Sequence, residues 1–201
     1  MRKIAVDIVL LLGDDIAERA ICANKDLREK FDSDIVLNMN DCLPHISLAM
    51  GCIDESDIEA VEKVLAETVK ANRLQELVID RVHIGINSKG QNVSSFAIEM
   101  TDRLRKLHCG VMDEMEKFFR YDVTSDMVLG DDIADTTLAW ICSYRAKSAF
   151  ENFFPHITIG YGQAEPIERA ITFKPPAIAL CHLGNHCTCR KVLAHLPLDE
   201  I

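Results

Sequence analysis

The sequence predicts an α+β protein with a substantially antiparallel sheet, built as two equivalent halves. Three observations predict it. Apolar, β-branched runs and amphipathic helical stretches mix without the regular strand–helix–strand alternation of a parallel sheet. Gly184-Asn185 separates two apolar runs and reads as a two-residue hairpin turn. An eight-residue stretch recurs with four of its eight positions identical, 111 residues apart, at the start of two predicted strands.

The elements follow in order. Residues 4–12 are apolar and β-branched around Asp7, a buried strand. Residues 14–31 show helical spacing, with Ile16, Ala20, Ala23, Leu27 and Phe31 on one stripe. A short strand is expected at 35–37 and a longer one at 46–53, between Pro44 and Asp54. A second helix spans 54–71, with Asp54 as its cap and Ile58, Val61, Leu65 and Val69 inward. Strands follow at 77–86 and 93–100. Thr101 caps a third helix that runs to about Tyr121, with Leu104, Leu107, Val111, Met115 and Phe118 inward. Residues 121–152 are the least regular part and contain the only tryptophan, Trp140. Strands are expected again at 157–161, 178–183 and 186–193.

Composition narrows the function. A chain of 201 residues suits one domain, or two lobes sharing a core. Its 48% hydrophobic and 27% charged residues exclude a disordered, collagen-like or low-complexity protein. No apolar run approaches the ~20 residues that span a bilayer. Met1-Arg2-Lys3 before an apolar segment has the order of a signal peptide, but the segment is short and no small-residue cleavage site follows. The expectation is a cytoplasmic protein with no membrane partner. A net charge of −10 leaves room for only a local basic patch, so long duplex nucleic acid is not an expected partner. A small nucleotide or the end of an RNA remains an acceptable ligand. Eight cysteines in a chain of this length, without an export signal, are expected as reduced thiols.

The repeat carries the chemistry. Pro44-His45-Ile46-Ser47-Leu48-Ala49-Met50-Gly51 aligns without gaps to Pro155-His156-Ile157-Thr158-Ile159-Gly160-Tyr161-Gly162. Along a strand, residues i and i+2 share a face. His45 therefore sits beside Ser47, and His156 beside Thr158. If both strands line one concave surface, two imidazoles and two hydroxyls converge. Histidine works as acid or base near neutrality, so one imidazole can take a proton while the other gives one. Hydroxyls beside them can donate to the non-bridging oxygens of a phosphate. A single Pro-His-Ile-Ser at a strand start is usually structural; the matched second copy reverses that judgement.

At these residues the sequence resembles the 2H phosphoesterase superfamily, also called LigT-like or 2′-5′ RNA ligase-like. Its signature is two copies of His-x-Ser/Thr followed by an apolar residue, here at 45–48 and 156–159. The resemblance implies a single domain over 1–201 with a bilobal α+β fold. Its two pseudo-symmetric lobes would have largely antiparallel sheets lining a central cleft. The spacing between the motifs is long for the smaller members of the family, and the extra length, placed at 121–152, is read as a lid or insertion. It implies a hydrolase acting on a 2′,3′-cyclic phosphate or a 2′-5′ phosphodiester of a nucleotide or RNA end, without metal or other cofactor. His45 and His156 would be the catalytic acid and base, in an order the sequence does not assign. Ser47 and Thr158 would bind the phosphate. Tyr161, at the position of Met50 in the first copy, is a candidate to stack on a base.

Three alternatives stand beside this reading. The chain could bind a nucleotide or RNA end on the same fold without turning it over. It could be a 2′-5′ RNA ligase. The third is a zinc or redox protein. A two-residue turn at 184–185 would pair His182 with Cys187 and Leu180 with Cys189, putting His182, Cys187 and Cys189 on one face and Cys181 and His186 on the other. No fourth ligand is evident, and buried cysteines are the simpler explanation. His83, on an apolar strand, reads first as a hydrogen-bonded structural residue, with a place facing the cleft as the alternative.

Overall fold

A computed structural model describes residues 2–87 and 89–199. It contains eight strands, β1 (Lys3–Leu11), β2 (His45–Asp54), β3 (Leu77–Ile86), β4 (Asn92–Ile98), β5 (His156–Tyr161), β6 (Ile171–Phe173), β7 (Ala177–Leu183) and β8 (Cys189–Pro197). Four helices accompany them, α1 (Asp14–Lys30), α2 (Ile58–Ala71), α3 (Asp102–Met115) and α4 (Asp135–Lys147). The strands form one curled antiparallel sheet in the order β6-β3-β4-β5-β2-β1-β7-β8. Read outward from its centre, the order is symmetric: β5 matches β2, β4 matches β1, β3 matches β7 and β6 matches β8.

The helices exchange sides. α1 follows β1 yet packs beneath β5, and α3 follows β4 yet packs beneath β2. Ile16, Ala20 and Leu27 of α1 are buried, as are Leu104, Leu107, Val111 and Met115 of α3. They share one core with Ile46, Leu48, Ile157 and Ile159 of the central strands. Thr101 caps α3, its Oγ1 accepting from the Leu104 amide at 3.1 Å. Asp54 does not cap α2, because Glu55–Asp57 form a turn of 3-10 helix before α2 begins.

Several expectations change. Residues 35–37 are not a strand; Ile35 and Leu37 are pinned to Asn24 of α1, whose side chain donates to Ile35 O at 3.0 Å and accepts from Leu37 N at 3.0 Å. Phe31, assigned to the inner stripe of α1, is exposed, and buried Asn24 takes part in the core instead. α3 ends at Met115, before the expected 121. The irregular 121–152 segment contains α4, which packs on β2 and on the turn after β7, with Ile141 and Tyr144 buried.

Candidate active site

The repeat supplies the two central strands. Their single paired position joins Ile46 to Ile157, a residue to its own counterpart. An antiparallel pair of equivalent residues has a local two-fold axis perpendicular to the sheet, so matched side chains emerge on the same face. Ile46, Leu48, Ile157 and Ile159 enter the core, while His45, Ser47, His156 and Thr158 are half-buried on the opposite face. All four side chains singled out in the sequence therefore gather around one axis.

Each copy carries a bulge directly after its hydroxyl residue. On β2, Ser47 pairs with Val9 and Ala49 with Ile8, leaving Leu48 extra. On β5, Thr158 pairs with Ser95 and Gly160 with Ser94, leaving Ile159 extra. The carbonyl of each bulged residue accepts a hydrogen bond from a buried helix side chain. His108 of α3 donates from Nδ1 to Leu48 O at 2.8 Å, and Asn24 of α1 donates to Ile159 O at 2.7 Å. The terminal glycine of each copy also has one cause. A Cβ on Gly51 would sit 2.7 Å from the Phe119 ring, and one on Gly162, whose φ is +113°, would overlap the Phe31 ring.

The two imidazoles are held alike. His45 Nδ1 lies 2.7 Å from Leu43 O, and His156 Nδ1 lies 2.8 Å from Phe154 O. A carbonyl only accepts, so each Nδ1 carries the proton and each Nε2 presents its lone pair to the open face. Burial lowers the pKa of both. The carbonyl contacts oppose that shift. The neighbouring His156 lowers His45 further, and His83 lowers His156.

The surroundings of the two copies differ. Beside the first lies Asp7, fully buried on β1, whose Oδ2 is hydrogen-bonded to Ser47 Oγ at 2.6 Å and lies 3.7 Å from His45 Nε2. Beside the second, Phe154 stacks on His156 with ring centroids 5.3 Å apart and meets His83 edge-on at 4.9 Å. His83 pairs with Ser95, which pairs with Thr158, so it lies on the face of the four motif residues instead of serving as a buried structural histidine. Asp7 was given no site role in the sequence, and His83 one only as the alternative to a structural role, because neither belongs to the repeat.

No protein-family model matches the chain, and no curated protein matches its sequence. Solved structures do. The TT0787 protein of Thermus thermophilus superposes with a TM-score of 0.61 at 17% identity, covering 97% of this chain and 98% of that one. A protein described as a phosphoesterase gives 0.56 at 12% identity, covering 98% of each chain. E. coli LigT in its apo form gives 0.53 at 14% identity, again over 98% of each. The chain has a LigT-like fold. At these identities the likeness speaks for the fold alone, and the site must be argued from its own geometry.

Within this LigT-like fold, Tyr161 lies on the same face as Thr158, past the bulge. Its hydroxyl is hydrogen-bonded to His186 Nδ1 at 3.1 Å, and His186 Nε2 lies 3.7 Å from Asp34 Oδ2. The C-terminal hairpin departs from the expected register. Asn185–Cys187 form a turn of 3-10 helix, with His186 and Cys187 at positive φ, so Leu183 pairs with Cys189 and His182 with Lys191. This longer connection puts Cys181 and Cys189 on one face, where they form a disulfide with Cα atoms 5.7 Å apart. The expectation of reduced thiols is therefore corrected at this pair. The expected His182, Cys187 and Cys189 grouping is not assembled: His182 Nε2 bonds Met127 O at 3.0 Å on the other face. A groove of about 490 Å³ runs along α1 past Arg19, Asp26 and Gln163, away from the four motif residues.

Proposed function

We propose that this chain is a phosphoesterase of the 2H type, acting on a 2′,3′-cyclic phosphate or 2′-5′ phosphodiester of a nucleotide or RNA end. The observation that carries the reading is the pairing of Ile46 with Ile157, which sets two Nδ1-tethered imidazoles and two hydroxyls around one axis. Similarity to E. coli LigT and to a protein described as a phosphoesterase supports it at the level of fold.

This reading gives each group of the site a role. One neutral imidazole accepts at Nε2 a proton from the attacking water. The other, protonated at Nε2, gives its proton to the ribose oxygen as the phosphorus–oxygen bond breaks. Ser47 and Thr158 donate to the non-bridging oxygens and stabilise the charge that grows there. Turnover leaves the two histidines with exchanged protonation states, which solvent resets. Nothing in this sequence of proton transfers requires a metal. Tyr161, and the exposed ring of Phe154, are proposed to flank the base or ribose. A cytoplasmic location is part of the proposal.

The test uses EDTA-treated protein and 2′,3′-cyclic nucleotides, with the 2′- and 3′-phosphate products resolved. Turnover to one regioisomer is expected. His45→Ala and His156→Ala should each lower kcat about 10²- to 10⁴-fold with unchanged circular dichroism. Near-wild-type rates in both variants would end the two-histidine mechanism.

A further inference from the structure

The two halves differ beside their motifs. Met50 pairs with Asp7, and its repeat counterpart Tyr161 pairs with Val93, so Val93 stands in the second half where Asp7 stands in the first. Asp7 has no solvent exposure, and its Oδ1 makes no hydrogen bond among the described residues. The groups facing it are Ser47 and His45 from β2, Tyr144 from α4 and the Cys187 thiol after β7. None brings a fixed positive charge. An ionised carboxyl in such a site is costly and neutralises by taking a proton.

The 2.6 Å contact between Asp7 Oδ2 and Ser47 Oγ holds one proton. If Asp7 is a carboxylate, that proton must be the hydroxyl's own. Ser47 then offers only lone pairs to the cleft and repels a phosphate. If Asp7 is an acid, a proton on Oδ1 would find no acceptor, so it sits on Oδ2; the carboxyl then supplies the proton of this contact, and the Ser47 hydroxyl turns its hydrogen outward. Thr158 has no such conflict, because Val93 cannot accept.

We propose that Asp7 is a positioning residue, held as the neutral carboxylic acid, that donates to Ser47 Oγ so that the Ser47 hydroxyl can donate to a phosphate oxygen in the cleft. The chemistry fits an anionic phosphodiester and disfavours a ligand that would need Ser47 as an acceptor. Burial pushes the Asp7 carboxyl well above its ordinary range; donation from Ser47 and Ala49 to the ionised form would oppose that shift only in part. The proposed phosphoesterase reading underlies the role of Ser47, but the protonation of Asp7 does not depend on it.

Two measurements test the proposal together. In the free protein, a ¹³C NMR titration of aspartate carboxyls, with the Asp7 signal assigned by its loss in Asp7→Asn, should show Asp7 protonated at pH 7. An ionised Asp7 at that pH would overturn the proposal, whatever the protein does with substrates. With 2′,3′-cyclic AMP, Asp7→Asn keeps a donor to Ser47 and should stay within about 3-fold of wild-type kcat/KM at pH 6. Asp7→Ala should lose about 10- to 100-fold, the factor equivalent to one hydrogen bond to a charged group. Equal losses in both variants would show that Asp7 acts through its charge and would reject the relay. If the wild-type protein leaves the nucleotide untouched, the proposed activity fails, while the NMR titration still decides the state of Asp7.

Discussion

His45 and His156 each spend Nδ1 on a carbonyl two residues earlier, so only Nε2 titrates toward the open face. Burial lowers both imidazoles, and their neighbours lower them further. In the proposed mechanism the acid histidine must be protonated and the base neutral, so the two limbs of the rate profile belong to the pair. Both limbs shift to the acid side of the ordinary histidine value near 6.5. The pH profile of kcat/KM for a 2′,3′-cyclic nucleotide should therefore peak below pH 6.5; a maximum at pH 8 would contradict the assignment. These two residues, with Ser47 and Thr158, were legible in the sequence because each occurs in a duplicated context. Asp7 was not, and His83 was only an alternative to a structural reading. A single Asp or His within an apolar strand has no internal counterpart to distinguish a site residue from a satisfied core group, and only strand pairing brings these two beside the repeat.

At the scale of elements, the bulges at Leu48 and Ile159 aim the motif side chains, and α3 and α1 hold them in place. His108 links three pieces at once. Its Nδ1 donates to Leu48 O, its Nε2 accepts from the Phe150 amide at 2.7 Å, and its ring stacks on Phe153 at 3.7 Å. Both nitrogens are used in the neutral form. Protonation would set Nε2–H against the Phe150 N–H, and burial pulls the pKa down to about 4. The folded value lies below the unfolded one near 6.5. Between these values the unfolded chain binds the proton first, so this contribution is full above pH 6.5 and is lost as pH falls toward 4. It amounts to about 3 kcal/mol. Urea midpoints across pH 4–7 should fall on acidification, and His108→Gln should flatten that fall. An unchanged pH slope in the variant would move the effect to other groups. Such supports are invisible to periodicity, which marks the apolar inner stripe of α3 and is silent on His108. The same limit explains the hairpin. Gly184-Asn185 gives a turn signal, but three residues of 3-10 helix and two positive φ angles set the register. The three-residue β6 is too short to leave any pattern.

The whole molecule is two half-sheets that meet at one residue pair, yet the chain is woven so that neither half closes alone. The first half takes β1, β2, β7 and β8 from both ends of the chain, and the second takes β3 to β6 from its middle. The junction Ile46–Ile157 is too small to couple them by itself. Coupling comes from the exchanged helices: α1 leaves the first half to bury Ile16, Ala20 and Leu27 beneath the second, and α3 returns the favour to β2. Removing either half would expose the apolar stripe of the other half's helix, several buried side chains at about 1.5–3 kcal/mol each. The disulfide between Cys181 and Cys189 lies wholly within the first half and does not bridge the two. Unfolding should therefore be a single cooperative transition of the whole chain. Calorimetry at neutral pH should give one peak, with calorimetric and van't Hoff enthalpies equal and a heat-capacity change of about 2.5–3 kcal/mol/K for a chain of this length. A fragment ending after α2 should remain unfolded, because α1 would have no β5 to cover. Two resolved peaks, or a folded N-terminal fragment, would mean that the halves are independent and that the axis through Ile46 and Ile157 joins two domains.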